Sequence, residues 1–361
     1  MKPSPELKAR RAKLLVSLDA ARLDALLVSS PANIRYLSGF TGSNALLLVT
    51  SGHSWLLTDP RYTIQASQES DCKTTIVNGP LLKKVHPILT RQRIRNLGYE
   101  PGHLTVESFH WLVDELPKST RVKPGGGLVE QLRLIKSRRE IEAIRGAVQL
   151  NSKALDRALA RLKSGWSERR LAAELDHSML TFGADGPAFE TIVASGPRSA
   201  LPHARPTNAP IKPGQLCLID MGARYAGYCS DMTRIASLGP VPARWQRLHR
   251  AVLEAQLAAV AAVRPGAACG EIDKAARTVL ESHKVDTFFV HSTGHGLGLE
   301  IHEPPRVARK QPALLAEGMV ITIEPGVYLE GKGGIRIEDT VLVTKDGCEV
   351  LTPTAKEILV R

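Results

Sequence analysis

Aromatic side chains, cysteines and long apolar runs are all scarce in this 361-residue sequence. Phe, Trp and Tyr make up only 4% of the residues, so the chain has few surfaces on which the bases of a nucleic acid could stack. The net charge is +12, but the basic residues form short clusters that are dispersed along the chain: 91–95, 136–140, 168–170 and 306–310. We therefore interpret the charge as a solvated basic surface and predict no nucleic-acid partner.

The five cysteines are scattered and without CxxC spacing, which fits a reduced cytoplasm better than a disulfide framework. No apolar run approaches the roughly 20 residues that a membrane-spanning helix requires. Residues 1–15 are charged and amphipathic and lack the apolar core of a signal peptide. We expect a cytoplasmic protein that has no membrane partner.

The pattern that is present indicates two domains, in line with a prior of about 150 residues per domain. The first 130 residues alternate helical and apolar stretches: a helix is expected over 5–22, and strands over 25–30, 45–50 and 54–59. The segment KPGGG (123–127) ends this region, and a long helical pattern begins at Leu128. We predict a small N-terminal α/β domain over residues 1–125 and a second domain over 126–361.

The second domain contains an internal repeat. Two pairs of segments align: 161–185 with 262–286 at a shift of 101 residues, and 214–222 with 318–326 at a shift of 104. The second alignment places Asp220 on Glu324. Each strand block then continues through a turn to a second carboxylate and a threonine, in SDMT and IEDT. The duplication predicts two pseudosymmetric halves whose carboxylates enter the middle of the domain in pairs.

Each strand block has the pattern of a hairpin that brings two carboxylates together. Asp220 and Asp231 are expected to oppose each other across a turn at 224–227, and Glu324 and Glu338 across the turn EGKGG. Like charges directly opposite each other destabilise a sheet, and four buried carboxylates need protons or cations. A pair of divalent metal ions would resolve this repulsion.

Three histidines, His291, His295 and His302, lie within the segment VHSTGHGLGLEIHEPP. Its glycines argue against a helix, and the spacing is not the HExxH pattern of helical zinc sites. A histidine from this segment would add to the carboxylate oxygens a nitrogen ligand that suits Mn, Co or Zn. The spacing alone leaves open which of the three binds metal.

Four segments together resemble the metal-site motifs of the Xaa-Pro peptidases, the family of aminopeptidase P and prolidase: LIDMGARYAGYCSDMTR, HSTGHGLGLEIHE, GMVITIEPG and GIRIEDT. The segments RYLSGFTGS and TDPRYTIQA resemble that family's N-terminal domain, so the resemblance spans the chain. It implies a creatinase-like α/β domain followed by a pseudosymmetric pita-bread catalytic domain with a curved antiparallel sheet. A homodimer is also expected from it.

The resemblance implies five metal ligands: Asp220, Asp231, His295, Glu324 and Glu338. Asp231 and Glu338 would bridge two divalent ions, with manganese the first expectation and cobalt or zinc the alternatives. A hydroxide between the ions would attack the carbonyl carbon that precedes proline, and Glu324 would accept the proton.

Four further side chains receive roles from the same resemblance. His302 would contact the substrate carbonyl and stabilise the tetrahedral intermediate, and His203 would line the pocket across from it. His291 would support substrate binding. Arg336 lies two residues before Glu338 and would share its strand face, which places a cation beside a metal carboxylate.

The expected substrate is a proline-containing peptide that is cleaved at its N-terminal Xaa-Pro bond, as by an aminopeptidase P. The alternative is a prolidase restricted to dipeptides, in which an arginine such as Arg35 or Arg61 would capture the free carboxylate. A non-catalytic binding protein is the alternative from another class, but the complete ligand set argues against it. We expect negligible cleavage of Met-Ala peptides, the activity of a methionine aminopeptidase.

Overall fold

The computed structural model describes residues 5–361, which form two compact units that divide between Arg133 and Leu134. The helix Leu128–Arg133 packs on Pro5–Ala20 and so belongs to the first unit, whereas the sequence prediction placed it at the start of the second domain. Among residues 5–361, no helix is both long enough and apolar enough to cross a membrane.

The first unit is built on a six-stranded mixed sheet with the order β4-β3-β2-β1-β5-β6. Its strands are β1 (Ala25–Val28), β2 (Ala45–Thr50), β3 (Ser54–Thr58), β4 (Lys73–Ile76), β5 (Asn96–Tyr99) and β6 (Arg121–Pro124). Its helices are α1 (Pro5–Ala20), α2 (Pro31–Ser38), α3 (Thr63–Glu69), α4 (Val85–Gln92), α5 (Val106–Glu115) and α6 (Leu128–Arg133). The three strands and the N-terminal helix expected from the sequence are confirmed as β1, β2, β3 and α1.

The centre of this sheet explains why its strands read as continuous apolar runs. All four residues of β1 are buried, and β1 pairs antiparallel with β2 and parallel with β5. A strand that is covered on both faces has no solvent side on which polar residues could alternate.

The second unit carries two principal sheets, β20-β12-β9-β8 and β14-β13-β15-β18-β19, together with the hairpin β16-β17 and the small sheet β11-β10-β7. Its strands are β7 (Gly186–Pro187), β8 (Ile192–Ser195), β9 (Cys217–Met221), β10 (Ala223–Tyr225), β11 (Tyr228–Cys229), β12 (Met232–Ser237), β13 (Gly294–Gly296), β14 (Glu303–Val307), β15 (Val320–Ile323), β16 (Gly326–Leu329), β17 (Gly333–Arg336), β18 (Asp339–Val343), β19 (Cys348–Val350) and β20 (Leu359–Val360). Its helices are α7 (Arg138–Arg161), α8 (Glu168–Thr181), α9 (Ala243–Ala261) and α10 (Cys269–Ser282).

The helical pattern that begins at Leu128 is interrupted before α7. Ser137 ends the interruption with a capping box, in which its hydroxyl accepts from the Glu140 backbone N and the Glu140 carboxylate accepts from the Ser137 backbone N. The sequence therefore contains a helix start signal inside the run of helix-forming residues.

The internal repeat is visible in the backbone. Helices α8 and α10 begin and end 101 residues apart, which matches the shift read from the sequence. Each is preceded by an equivalent isolated bridge, Ser167 with Pro210 and Ala268 with Leu314. The two halves thus repeat the same helix–helix–strand unit.

A buried ion pair joins the two halves behind the strands that carry the carboxylates. Arg234 in β12 and Asp339 in β18 are both fully buried, and Nη2 donates to Oδ1 at 2.7 Å. Arg234 also donates to the backbone oxygen of Glu338 at 2.6 Å. Because a buried charge without a partner is strongly destabilising, this pair fixes β12 against β18.

Candidate metal and peptidase site

The five predicted metal ligands and the four side chains predicted to act beside them all line one cavity of about 800 Å³ in the second unit. They are Asp220, Asp231, His295, Glu324, Glu338, His203, His291, His302 and Arg336. They come from both halves of the repeat, so the cavity forms only when the halves pack together. Phe189, Ile192 and Ile301 contribute an apolar part of the wall.

The first hairpin differs in register from the prediction. Asp220 in β9 pairs with Thr233, and so the expected direct opposition of Asp220 and Asp231 is wrong. The cause is the turn Ala226–Gly227, in which both residues have a positive φ, at 50° and 80°. The prediction centred the hairpin between Tyr225 and Ala226, whereas this turn centres it between Ala226 and Gly227. Asp231 consequently lies just before β12.

The second hairpin has the register that the sequence predicted. Ile323 pairs with Asp339 on one side of the carboxylates, and Gly326 pairs with Arg336 on the other. Glu324 and Glu338 therefore stand opposite each other at the junction between the two paired stretches. Both carboxylates face the cavity.

Asp231, His295 and Glu338 each offer a ligand atom within 4.8 Å of the other two. The Nε2 atom of His295 lies 3.6 Å from Asp231 Oδ2 and 3.5 Å from Glu324 Oε1. Its Nδ1 lies 2.9 Å from the carbonyl oxygen of Gly296, which can only accept, so Nδ1 carries the proton. The lone pair of Nε2 then points toward the carboxylates, as a metal-binding histidine requires.

Burial and mutual repulsion disfavour the charged forms of these groups. Burial raises the pKa of Glu324 to about 7, with the nearby Asp220 adding to the rise and Arg336 opposing it. Burial and the neighbouring carboxylates raise the pKa values of Asp231 and Glu338 well above the usual range. Burial lowers the pKa of His295 to about 4. A cluster of carboxylates that resists ionisation in this way is stabilised by bound cations.

The donor set fits divalent metal ions. The Oδ1 atom of Asp220 is buried and has no hydrogen-bond partner in the part of the chain that the structure describes, whereas its Oδ2 accepts from Arg336. A buried, unpaired carboxylate oxygen beside three other carboxylates and one imidazole is a donor that a divalent ion would satisfy.

Arg336 is the centre of a hydrogen-bond network on one wall of the cavity. Its Nη2 donates to Asp220 Oδ2 at 2.5 Å, its Nε donates to Thr233 Oγ1 at 2.9 Å, and its Nη1 donates to the hydroxyl of Tyr328 at 2.7 Å. The Tyr328 hydroxyl also lies 2.8 Å from Nε2 of His291. The carboxylate next to Arg336 is thus that of Asp220, from the other half of the repeat.

His302 and His203 complete the wall beside His295. The rings of His295 and His302 meet edge to face, with centroids 4.5 Å apart. Partial burial and the nearby His203 lower the pKa of His302, so its imidazole is neutral near pH 7. Both histidines line the same cavity as the predicted metal ligands, as the sequence led us to expect.

Two hydroxyl groups at the site have no role in the sequence-based hypothesis. Tyr328 joins His291 to Arg336, and Thr233 donates to Glu338 Oε2 at 2.6 Å. Period-2 alternation could have found Tyr328, because it lies four residues beyond Glu324 in an extended segment.

A buried ion pair near the site could not have been predicted. Lys136 Nζ lies 3.2 Å from Glu303 Oε2, and the two residues are 167 positions apart, so the sequence contains no local signal for the contact.

Comparisons with known proteins identify the family to which this chain belongs. Residues 142–345 match the family model described as metallopeptidase family M24, and residues 10–135 match the creatinase/prolidase N-terminal domain. The first match covers more than half of the chain. The chain therefore belongs to metallopeptidase family M24.

Individual relatives match over nearly the full length. The chain is 36% identical to a Xaa-Pro dipeptidase of Pyrococcus furiosus, and the alignment covers 98% of this chain and 100% of the relative. A solved Xaa-Pro dipeptidase from Bacillus anthracis superposes with a TM-score of 0.95 at 35% identity, over 98% of this chain and 100% of that one. An X-Pro aminopeptidase from Thermotoga maritima superposes with a TM-score of 0.91, also at 35% identity and with the same coverage.

Family membership confirms the predicted fold class, an N-terminal creatinase-like α/β domain followed by a pita-bread catalytic domain. It also confirms that the chain is a hydrolase that acts as a peptidase and uses divalent metal ions.

Proposed function

We propose that the protein is an exopeptidase that hydrolyses the Xaa-Pro bond at the N-terminus of short peptides. The observation that carries this proposal is the convergence of four carboxylates and four histidines on one cavity. The names of the relatives, which include both dipeptidases and an aminopeptidase for X-Pro bonds, support the substrate class.

Asp220, Asp231, His295, Glu324 and Glu338 would hold two divalent ions, with manganese the expected metal. Such ions supply activation of water and polarisation of the peptide carbonyl. The chain's own contribution is to fix the ligands: Thr233 holds Glu338, Arg336 holds Asp220, and the Gly296 carbonyl orients His295.

Glu324 would act as the proton acceptor. Its carboxylate faces the cavity, and its Oε1 lies 3.5 Å from His295 Nε2, beside the place where the ions would bind. His302 and His203 would donate N–H hydrogen bonds to the oxygen of the carbonyl as negative charge develops there. The apolar side chains Phe189 and Ile301 limit water on the substrate side of the cavity.

A specific observation favours the second candidate, a dipeptidase that requires a free carboxylate after proline. Arg306 lines the same cavity, four residues beyond His302. A guanidinium at this wall can bind a carboxylate through two parallel hydrogen bonds. Arg61, which the sequence suggested for this role, donates to Asp59 at 2.8 and 2.9 Å, and like Arg35 it stays a prediction. The dipeptidase and the aminopeptidase thus remain two hypotheses that differ in the length of the peptide that is cleaved.

The deciding experiment compares hydrolysis of Gly-Pro and Gly-Pro-Ala by the manganese-loaded enzyme, with the variants Arg306→Met and Arg309→Met. A dipeptidase would cleave Gly-Pro alone, and Arg306→Met would raise KM for it about tenfold or more because a charged hydrogen bond is lost. Arg309→Met, which changes an exposed arginine that does not line the cavity, is the matched control and should behave like the wild type. Release of glycine from the tripeptide would support the aminopeptidase. If neither peptide were cleaved, the proposed function would be wrong.

The expected homodimer and cytoplasmic location remain predictions that rest on the family likeness and the cysteine pattern.

A further inference from the structure

The segment that carries His203 is held at both ends by one buried carboxylate. Glu168 is the first residue of α8 and is fully buried. Its carboxylate accepts from the backbone N of Ser195 at 2.8 Å and from that of Thr207 at 3.0 Å, one on each side of His203. Residues 196–206 therefore form a loop whose two ends meet at a single side chain, as in an Ω-loop.

Three side-chain groups complete this clamp. The hydroxyls of Ser195 and Thr207 donate to the Glu168 carboxylate at 3.2 and 2.8 Å. The Nε atom of Arg198 donates to both carboxylate oxygens, at 3.1 and 3.0 Å, and Nη2 of Arg198 donates to the carbonyl oxygen of Arg205 at 2.7 Å. The interior of the loop is thereby tied to Glu168 as well as its ends, and the buried charge has a cation as its partner.

The other side of the loop rests on the hairpin that carries Arg336. The hydroxyl of Ser199 accepts from the backbone N of Gly334 at 2.9 Å, and Nη1 of Arg336 donates to the carbonyl oxygen of Pro202 at 3.3 Å. Pro202 and His203 then face the cavity. The position of the His203 ring is set between this hairpin and the clamp.

The internal repeat shows that helix packing alone does not require a carboxylate at this position. The residue 101 positions after Glu168 is Cys269, the first residue of α10, and it is equally buried. A small, weakly polar side chain therefore suffices at the start of the equivalent helix. The carboxylate is needed only in the half that carries the loop 196–206.

We propose that Glu168 is a positioning residue of the peptidase, which holds His203 at the cavity wall by clamping the loop 196–206. The inference rests on the proposed function, since it assigns a purpose to the placement of His203. Within residues 5–361, the Glu168 carboxylate accepts hydrogen bonds from Ser195, Arg198 and Thr207 and from none of the five predicted metal ligands. Its loss should therefore reduce turnover and leave metal affinity unchanged.

A double-mutant cycle tests the proposal in the manganese-loaded enzyme, with kcat and KM for Gly-Pro and manganese affinity measured for wild type, Glu168→Gln, His203→Ala and the double variant. The amide of Glu168→Gln keeps the shape of the side chain but turns an NH2 group toward the donors. We expect a loss in kcat of about 10- to 100-fold, because small displacements of catalytic groups have effects of this size. In the His203→Ala background the further loss should be less than about twofold, because the two residues act through one path.

The same factor in both backgrounds would mean that Glu168 has a general structural role, and an unchanged kcat would mean that the clamp is not needed; either result overturns the inference.

Arg198→Met removes only one partner of the clamp and is measured in the same cycle, so the test survives if Glu168→Gln does not fold. Arg161→Met, which removes an exposed ion pair with Glu174 on α8, is the control and should leave kcat unchanged. An inactive wild type would overturn the proposed function and this inference together, whereas an active wild type with an unaffected Glu168→Gln would overturn the inference alone.

Discussion

At the scale of single residues, each half of the repeat supplies a threonine that fixes a carboxylate-bearing residue of the other half. Thr233 donates to Glu338 Oε2 at 2.6 Å, and Thr340 donates to the backbone oxygen of Asp231 at 2.8 Å. The two threonines follow their own carboxylates at equivalent places in SDMT and IEDT. The predicted metal ligands are therefore oriented by reciprocal contacts between the halves.

Thr233→Val tests this orientation. Valine has a similar shape but leaves Glu338 Oε2 and Arg336 Nε without the hydroxyl that joins them. We expect manganese affinity to fall about 10- to 100-fold, as is typical when a group that orients a metal ligand is lost. Calorimetric titration with manganese checks this, and Thr181→Val at the exposed end of α8 is the control. Wild-type affinity in Thr233→Val would show that the hydroxyl does not orient the site.

The carboxylate cluster also predicts how the stability of the metal-free protein depends on pH. The pKa of Glu324 is raised from 4.5 to about 7, and those of Asp231 and Glu338 are also raised well above their usual range, so the folded state binds more protons than the unfolded state. Stability must then fall as pH rises through these values. The buried His291 and His295, whose pKa values are lowered from 6.5 to about 4, contribute the opposite slope, but only below about pH 6.5.

Thermal unfolding between pH 6.5 and 8 therefore reports mainly on the carboxylates, because the cysteine thiols, whose pKa values burial also raises, ionise in the unfolded chain mostly above about pH 8. We expect the metal-free protein to lose about 1 kcal/mol or more over this range, and Glu324→Gln to show a shallower loss. Saturating manganese should remove most of the slope because the cations compensate the charges. A melting temperature that stays constant or rises with pH in the metal-free protein would contradict the burial of ionisable carboxylates.

At the scale of elements, the two carboxylate hairpins show what sequence patterns can and cannot determine. The glycine-rich turn EGKGG made the register of Glu324 and Glu338 predictable, and the structure has that register. The position of the turn Ala226–Gly227 could not be predicted, because alanine rarely adopts a positive φ and is not a residue that marks such a turn. The register of Asp220 was therefore wrong, although the residue does face the cavity.

The strained turn predicts a stabilising substitution. Ala226 has a φ of 50°, a conformation that asparagine adopts more readily than alanine, and Asn-Gly is the preferred pair for this turn. Ala226→Asn should raise the free energy of unfolding by about 1 kcal/mol, and the melting temperature by roughly 2–4 °C. Ala226→Val should lower both, since a branched side chain is least compatible with this φ. Equal melting temperatures for the two variants would show that the turn stores no strain.

At the scale of the whole molecule, the internal repeat was the most informative feature of the sequence. It gave the offset of α8 and α10 to the residue, and it placed carboxylates from both halves in one cavity. Contacts that are not repeated in the two halves could not be predicted from the sequence, because they join distant positions without a local pattern. Glu168 with Thr207 and Lys136 with Glu303 are of this kind.

We propose that the paired carboxylates and His295 hold the ions on which peptide hydrolysis depends. The most direct measurement is the rate of Gly-Pro hydrolysis by chelated protein during stepwise addition of manganese, with Glu338→Gln as the matched variant. We predict no activity after chelation, a rise that levels off at two equivalents of manganese per chain, and no comparable rise for Glu338→Gln. Activity that survives chelation, or that Glu338→Gln regains with the same stoichiometry, would contradict the claim.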